Sequence, residues 1–275
     1  MSGGLPGAVV GHWTDERALT GCTAILFPEG AVASGEVRGN APATREWDLL
    51  VPQRTVDRID AVMLCGGSSF GLAACDGAMR FCEERGRGFA TPAGVVPIVV
   101  GAALFDLVVG DASVRPGPDE GYAACAAAAA GGFETGHVGA GTGATVAKWR
   151  GEPRPGAIAA TVSGDDGLLI GAILAVNAFG EPRGAEPIDL SEAVPAGPIE
   201  STTVGVIVTN ARLTKLECLL VAQAGQDGLA RAIEPAHTAF DGDALVAAST
   251  GTVDVPAELV RWRAAQVVEE AVRSV

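Results

Sequence analysis

Three short stretches of this 275-residue chain carry residue types and spacings that could do chemistry. In the first, Gly197-Pro198-Ile199-Glu200-Ser201-Thr202-Thr203-Val204, a proline-rich acidic loop runs directly into a strand pattern that opens on consecutive hydroxyl residues. If the chain cleaves itself there, Thr202 becomes N-terminal, and its freed α-amine, whose ordinary pKa is about 7.7–8.0, can accept the proton of its own hydroxyl. Nucleophile and base would then sit on one residue. A cut one residue earlier, after Glu200, would equip Ser201 in the same way. Hydroxyl side chains at a strand start also simply pack or cap, so the junction alone leaves both readings open.

The second stretch, Gly67-Ser68-Ser69-Phe70-Gly71, matches G-x-S-x-G between a strand and a helix, the setting of a nucleophile elbow. Asp227 and His237 would complete a Ser69 triad in the order serine, acid, histidine. Two glycines and two serines also make a tight turn that caps the next helix. The chain has no HGGG-type oxyanion loop, which weakens the triad. The third stretch, Gly139 to Ala144, can be laid over the dinucleotide pattern G-x-G-x-x-G/A, but Pro153 and Pro155 close the segment before a long helix can follow. A glycine-rich loop allowing close backbone approach is the better reading. Lys148 at its end, taken alone, reads as a solvated surface charge. His12 and His137 lie far apart without ligand spacing, so neither a metal nor another cofactor is expected.

Elements that could position these residues are visible in the hydrophobic pattern. Cys22 to Pro28 and Ala31 to Val37 read as a hairpin, and Ile59 to Leu64 as a buried strand leading to a helix from Phe70 to Arg85. Asp119 to Gly131 is almost pure helix former. A second hairpin spans Ala157 to Val176 around the turn Gly164-Asp165-Asp166-Gly167. Phe179 to Ile199, with four prolines, reads as an exposed loop. After it come a strand (Thr202 to Thr209), a helix (Leu213 to Ile233), a strand (Leu245 to Ser249) and a helix (Pro256 to Arg273). Hairpins mixed with helices argue for one α+β domain with helix-covered sheets.

Composition removes several classes of function. With 48% hydrophobic and 19% charged residues and a mean hydropathy of +0.30, the chain must bury a substantial core. Its net charge of −14 argues against nucleic acid or an anionic membrane as partner. The most apolar stretch, Gly94 to Gly110, is broken by Pro97 and Asp106, so no membrane span is expected. The first residues lack a signal-peptide pattern, which makes a cytoplasmic location the expectation. The six cysteines show no C-x-x-C spacing and read as reduced core residues.

STTVGVIVTNARLTK, MLCGGSSFGLAACDGAMR, GAGTGATVAKW, GAILAVNAFGEP and FDGD occur in an order that resembles one group of autoproteolytic hydrolases. These are the DmpA-type aminopeptidases, β-peptidyl aminopeptidases and nylon-oligomer hydrolases, which share a fold with ornithine acetyltransferases. The resemblance runs from about Gly7 to Ser249. It implies a four-layer αββα sandwich and a precursor that cuts itself into residues 1–201 and 202–275. Thr202 would be the nucleophile, with Ser201 where relatives usually have Asn or Gly. Asn177 matches the family's oxyanion-hole asparagine, although a buried Asn also pairs with backbone. Asp241 and Asp243 match the pair that orients the new α-amine, and in an extended D-G-D both carboxylates fall on one side. Lys148 matches a lysine that lies near the nucleophile in the nylon-hydrolase branch. Phe70 stands where some relatives have a tyrosine hydroxyl, so oxyanion support would rest on Asn177 and a backbone amide of the turn Gly66, Gly67, Ser68 and Ser69. The resemblance further implies a small peptide or amide substrate, no cofactor, and a homo-oligomer, a tetramer of cleaved units.

Overall fold

The computed structural model of the chain describes residues 4–184 and 201–275. Most of the Phe179 to Ile199 loop, and Glu200, lie outside the described residues. Nine strands make the main sheet: β1 Val9–Asp15, β2 Thr20–Val37, β3 Ala43–Arg45, β4 Arg58–Cys65, β5 Val99–Ala103, β6 Ala157–Asp165, β7 Leu168–Val176, β8 Val204–Ala211 and β9 Ala244–Val253. Four longer helices cover it: α1 Ala74–Glu83, α2 Pro118–Ala130, α3 Lys215–Ala232 and α4 Ala257–Arg273. Strand order is β6-β7-β8-β9-β2-β4-β5-β3, with β1 also on β2. The β8/β9 and β4/β5 pairs are parallel and the others antiparallel.

The strands carry near-continuous apolar runs because both of their faces are buried. Alternate residues divide into three clusters. Ile25, Phe27, Val62, Ile173, Val206 and Val246 meet in a central one, sheet against sheet. Leu174, Ile207 and Leu245 face the other way, against Cys218, Leu229 and Val268 of α3 and α4. Ala24, Met63 and Cys65 meet Cys75 and Phe81 of α1 and Cys125 of α2. Helix, sheet, sheet, helix is the expected αββα stacking. The alanine-rich α2 is thin enough that Gly11 of β1 lies against its backbone, where a Cβ would collide with Ala124 and Ala128. All six cysteines are buried and free.

One expected element is corrected. Cys22 to Pro28 and Ala31 to Val37 are not a hairpin but the two halves of the 18-residue β2. Its first half pairs with β1 and β4, its second with β9, and the β4 register shifts between Leu26 and Ala31. Pro28-Glu29-Gly30 makes a bulge there, with Gly30 at φ +66, and the chain continues forward because β4 runs past both halves. The Ala157 to Val176 hairpin forms as expected, with Asp166 and Gly167 both at positive φ, the requirement of a twisted two-residue turn. β8 begins at Val204, so Thr202 and Thr203 precede the strand proper.

Candidate active site

The entry to β8 is gripped from both sides. Val204 pairs with Ala175 of β7 and Ala244 of β9, and the same ladder continues outward past the ends of those strands. The Thr202 amide donates to the Asn177 carbonyl at 2.7 Å, and the Gly242 amide donates to the Ser201 carbonyl at 2.7 Å. The Ser201–Thr202 peptide bond is therefore held at its nitrogen and its carbonyl oxygen. Thr202 is only 3% exposed, and its Oγ1 donates to that same Ser201 carbonyl at 2.6 Å. An amide aimed at a carbonyl oxygen, with a hydroxyl alongside, is the geometry that would stabilise charge on that oxygen during attack. Gly242 is needed for space: a Cβ there would lie 2.8 Å from Thr202 Oγ1 and would collide with the Ala41 carbonyl. The sequence points to the two aspartates of D-G-D and gives no sign of the glycine between them.

Asn177, just past β7, is fully buried. Its Oδ1 accepts from the Thr145 amide and from Lys148 Nζ, each at 2.9 Å, and its Nδ2 donates one hydrogen to the Phe105 carbonyl at 3.2 Å. Lys148 Nζ also donates to the Asn177 carbonyl at 3.1 Å. The solvated reading of Lys148 is thus corrected, since the side chain is buried. Burial lowers its pKa to about 7 against the opposing pull of Asp241 and Asp243, so near neutrality a large fraction is free amine, able to take a proton.

Both aspartates are buried and face the junction. Asp243 Oδ1 accepts from the Thr203 amide at 2.7 Å, and its Oδ2 meets His237 Nδ1 at 2.9 Å. Asp241 Oδ1 accepts from the Phe179 amide at 3.1 Å, and its Oδ2 from the Thr238 amide and hydroxyl at 2.8 and 2.6 Å. Burial first, then the neighbouring Asp243 charge, push the Asp241 carboxyl above the usual carboxylate range. Asp241 also bridges to Ser201 through backbone.

The G-x-S-x-G turn is a different place. Ser69 and Phe70 are exposed, and Arg115 lies over the Phe70 ring at 4.2 Å. The Gly66, Gly67 and Ser68 amides are engaged by the Gly21 carbonyl, the Asp106 carboxylate and the Leu104 carbonyl. The expected oxyanion amide does not come from those three. Nor does the Ser69 triad assemble: both His237 nitrogens face other partners, and Asp227 pairs with Arg38. The Gly139–Gly141 turn threads between strands, where Cβ atoms on Gly139 and Gly141 would collide with Thr23 and Ile158. His12 bonds Thr23 and the Glu134 carbonyl, and His137 is exposed. Among the described residues, no three His, Cys, Asp or Glu side chains converge as metal ligands.

A cavity of about 400 Å³, lined by Glu16, Leu19, Val109, His137, Thr142 and Thr145, adjoins the site. Thr145 joins the two, because its amide is the donor to Asn177 Oδ1. Larger cavities of about 780 and 600 Å³ have no residue of this cluster in their walls.

An αββα sandwich with a buried hydroxyl, amide donors and paired carboxylates at one strand entry defines a hydrolase of peptide or amide bonds with Ntn-hydrolase architecture. The chain belongs to peptidase family S58, which it matches over residues 4–275. It is 42% identical to an uncharacterized aminopeptidase of Mycobacterium leprae, over 92% of this chain and 79% of that one. It is 31% identical to a 6-aminohexanoate-oligomer endohydrolase of a Kocuria species, over 92% and 75%. In fold it is similar to the l-aminopeptidase d-Ala-esterase/amidase of Ochrobactrum anthropi, with a TM-score of 0.75 at 19% identity, covering 98% and 83% of the two chains. A β-aminopeptidase of a Burkholderia species gives a TM-score of 0.74 at 22% identity, covering 98% and 84%.

Proposed function

We propose that the chain cuts itself between Ser201 and Thr202, and that Thr202 of the resulting 202–275 chain then hydrolyses the amide bond of a small peptide-like substrate. The observation that carries this reading is the grip on one buried peptide bond: Gly242 N–H on the Ser201 carbonyl oxygen, with Thr202 Oγ1 2.6 Å from the same oxygen. In the cut, Oγ1 attacks the Ser201 carbonyl carbon, Lys148 or a water takes the hydroxyl proton, and the C–N bond breaks as the Thr202 nitrogen is protonated. Water then hydrolyses the ester, leaving the Ser201 carboxylate and a free Thr202 α-amine.

In turnover the α-amine takes the hydroxyl proton, Thr202 forms an acyl-enzyme, and water releases the acid. Asp241 and Asp243 hold the amine, and Asn177 Nδ2 supports the oxyanion. The adjoining cavity of about 400 Å³ suits a short acyl group. Amides of α-, β- or D-residues and of ω-amino acids such as 6-aminohexanoate are the classes to assay, the last because a relative is named for it. Assembly as a homo-oligomer of cleaved units belongs to the same reading and rests on the sequence resemblance. Intact mass spectrometry with N-terminal sequencing tests the proposal. The smaller fragment should begin Thr-Thr-Val, whereas Ser-Thr-Thr would move the nucleophile to Ser201. One full-length species after long incubation overturns it.

A further inference from the structure

The proposed reaction gives no part to His237, yet that residue holds the cluster from behind. Its Nδ1 lies 2.9 Å from Asp243 Oδ2 and its Nε2 3.2 Å from the Gln226 carbonyl oxygen. A carbonyl and a carboxylate only accept, so satisfying both contacts takes a proton on each ring nitrogen, which is the imidazolium form. Burial alone would lower its pKa, but the hydrogen bond and charge of Asp243 carry it above the ordinary histidine value. The residue has φ +54, a backbone conformation seldom adopted outside glycine and kept where surroundings enforce it. The next residue, Thr238, holds Asp241 through its amide and hydroxyl. One dipeptide therefore clamps both carboxylates.

We propose that His237 is a positioning residue whose imidazolium holds the Asp243 carboxylate against the Thr203 amide, and thereby fixes the backbone that carries Thr202. The proposal rests on Thr202 being the nucleophile. The charged groups around the ring are Asp243, then Asp241 and Lys148 across the site, and Arg38, itself paired with Glu36 and Asp227. With the imidazolium gone, two buried carboxylates face each other with only the partly protonated Lys148 amine nearby to offset them. The Asp241 carboxyl, already pushed up by burial and by Asp243, is then pushed further.

The test uses the full-length chain carrying His237→Asn, since asparagine tolerates this backbone and keeps an N–H donor without the charge. The expected result is a near-normal Tm, self-cleavage and turnover slowed about tenfold at pH 7, the order expected when a hydrogen bond between two charged groups loses one of the charges, and an acidic limb displaced to higher pH. Wild-type rates with an unmoved limb overturn the proposal. So does a loss that merely follows the fraction of folded protein, with the profile unchanged. Nitrogen-detected histidine NMR on Thr202→Ala, in a chain with 3 histidines, supplies a readout independent of cleavage. His237 should titrate above the ordinary histidine value and fall back in Thr202→Ala/Asp243→Asn. A His237 that titrates at or below the ordinary value overturns the proposal. A wild type that never cuts overturns the Thr202 reading, and the proposal with it, while the NMR result shows which premise failed.

Discussion

Two hydroxyl-bearing turns stand at the ends of buried strands: Ser69 just after β4 and Thr202 just before β8. The first has the better-known motif, and the second has the converging polar groups. Around Ser69 the turn amides bond neighbouring carbonyls and the Asp106 carboxylate, the serine faces solvent, and among the described residues no base is hydrogen-bonded to it. Around Thr202 the hydrogen-bond ladder of β7, β8 and β9 continues past the strand ends, so the next amide and carbonyl grip the Ser201–Thr202 peptide bond. Lys148, Asp241, Asp243 and His237 converge there. What makes a hydroxyl reactive is the set of groups aimed at it, and a short motif records only its own turn.

Substitutions at the two turns should therefore differ most. Thr202→Ala should abolish both cleavage and hydrolysis on denaturing gels and in amidase assays, and Thr202→Ser should retain some of each. Next in size, Gly242→Ala should leave mainly uncut precursor, because the new methyl displaces Thr202 Oγ1. Full cutting in that variant would mean that the Gly242 amide is dispensable. Asn177→Ala should fold yet lose on the order of a hundredfold in turnover, the usual cost of one oxyanion donor. A lowered Tm with turnover per folded molecule intact would make Asn177 structural.

Lys148 gives a pH test of the same contrast. Its amine loses its proton as pH rises through about 7, so self-cleavage of freshly refolded precursor should speed up across that pH, and Lys148→Met should flatten the rise. The smallest effect belongs to the other turn: Ser69→Ala should leave cutting and turnover at wild-type levels, and a large loss there would reverse the comparison.

The layers were legible in the sequence because runs such as IDAVML and TTVGVIVT must be buried on both faces. The continuity of β2 was not, since Pro28-Glu29-Gly30 is a turn signal and only the presence of β4 alongside makes it a bulge. Lys148 looks solvated in sequence because burial of a lone lysine depends on partners far away along the chain, here Asn177. Asn177, Asp241 and Asp243 become candidates through resemblance to known hydrolases rather than through spacing. His237 enters from the sequence only as a partner for Ser69. Its pairing with Asp243 has one available signal, six residues of separation next to D-G-D, and that signal is weak. Gly242 is hidden because sequence shows which side chains could react and not which must be absent.

The position of β8 and β9 also bears on reversibility. They lie between β7 and β2 in the sheet, covered by α3 and α4 on one face and, across the central core, by β4 and β5 of the folded-over sheet on the other. Cutting at Ser201–Thr202 would leave β8 and β9 of the smaller polypeptide inserted as a pair between strands of the larger, with no route to separation short of unfolding. Before the cut, β7 and β8 are tethered and folding is a first-order event. Afterwards a denatured molecule would have to find its other half in solution, at a rate that depends on concentration. Maturation would thus turn a refoldable chain into one whose lifetime is set by its unfolding rate, fixing the working molecule at the moment it becomes active.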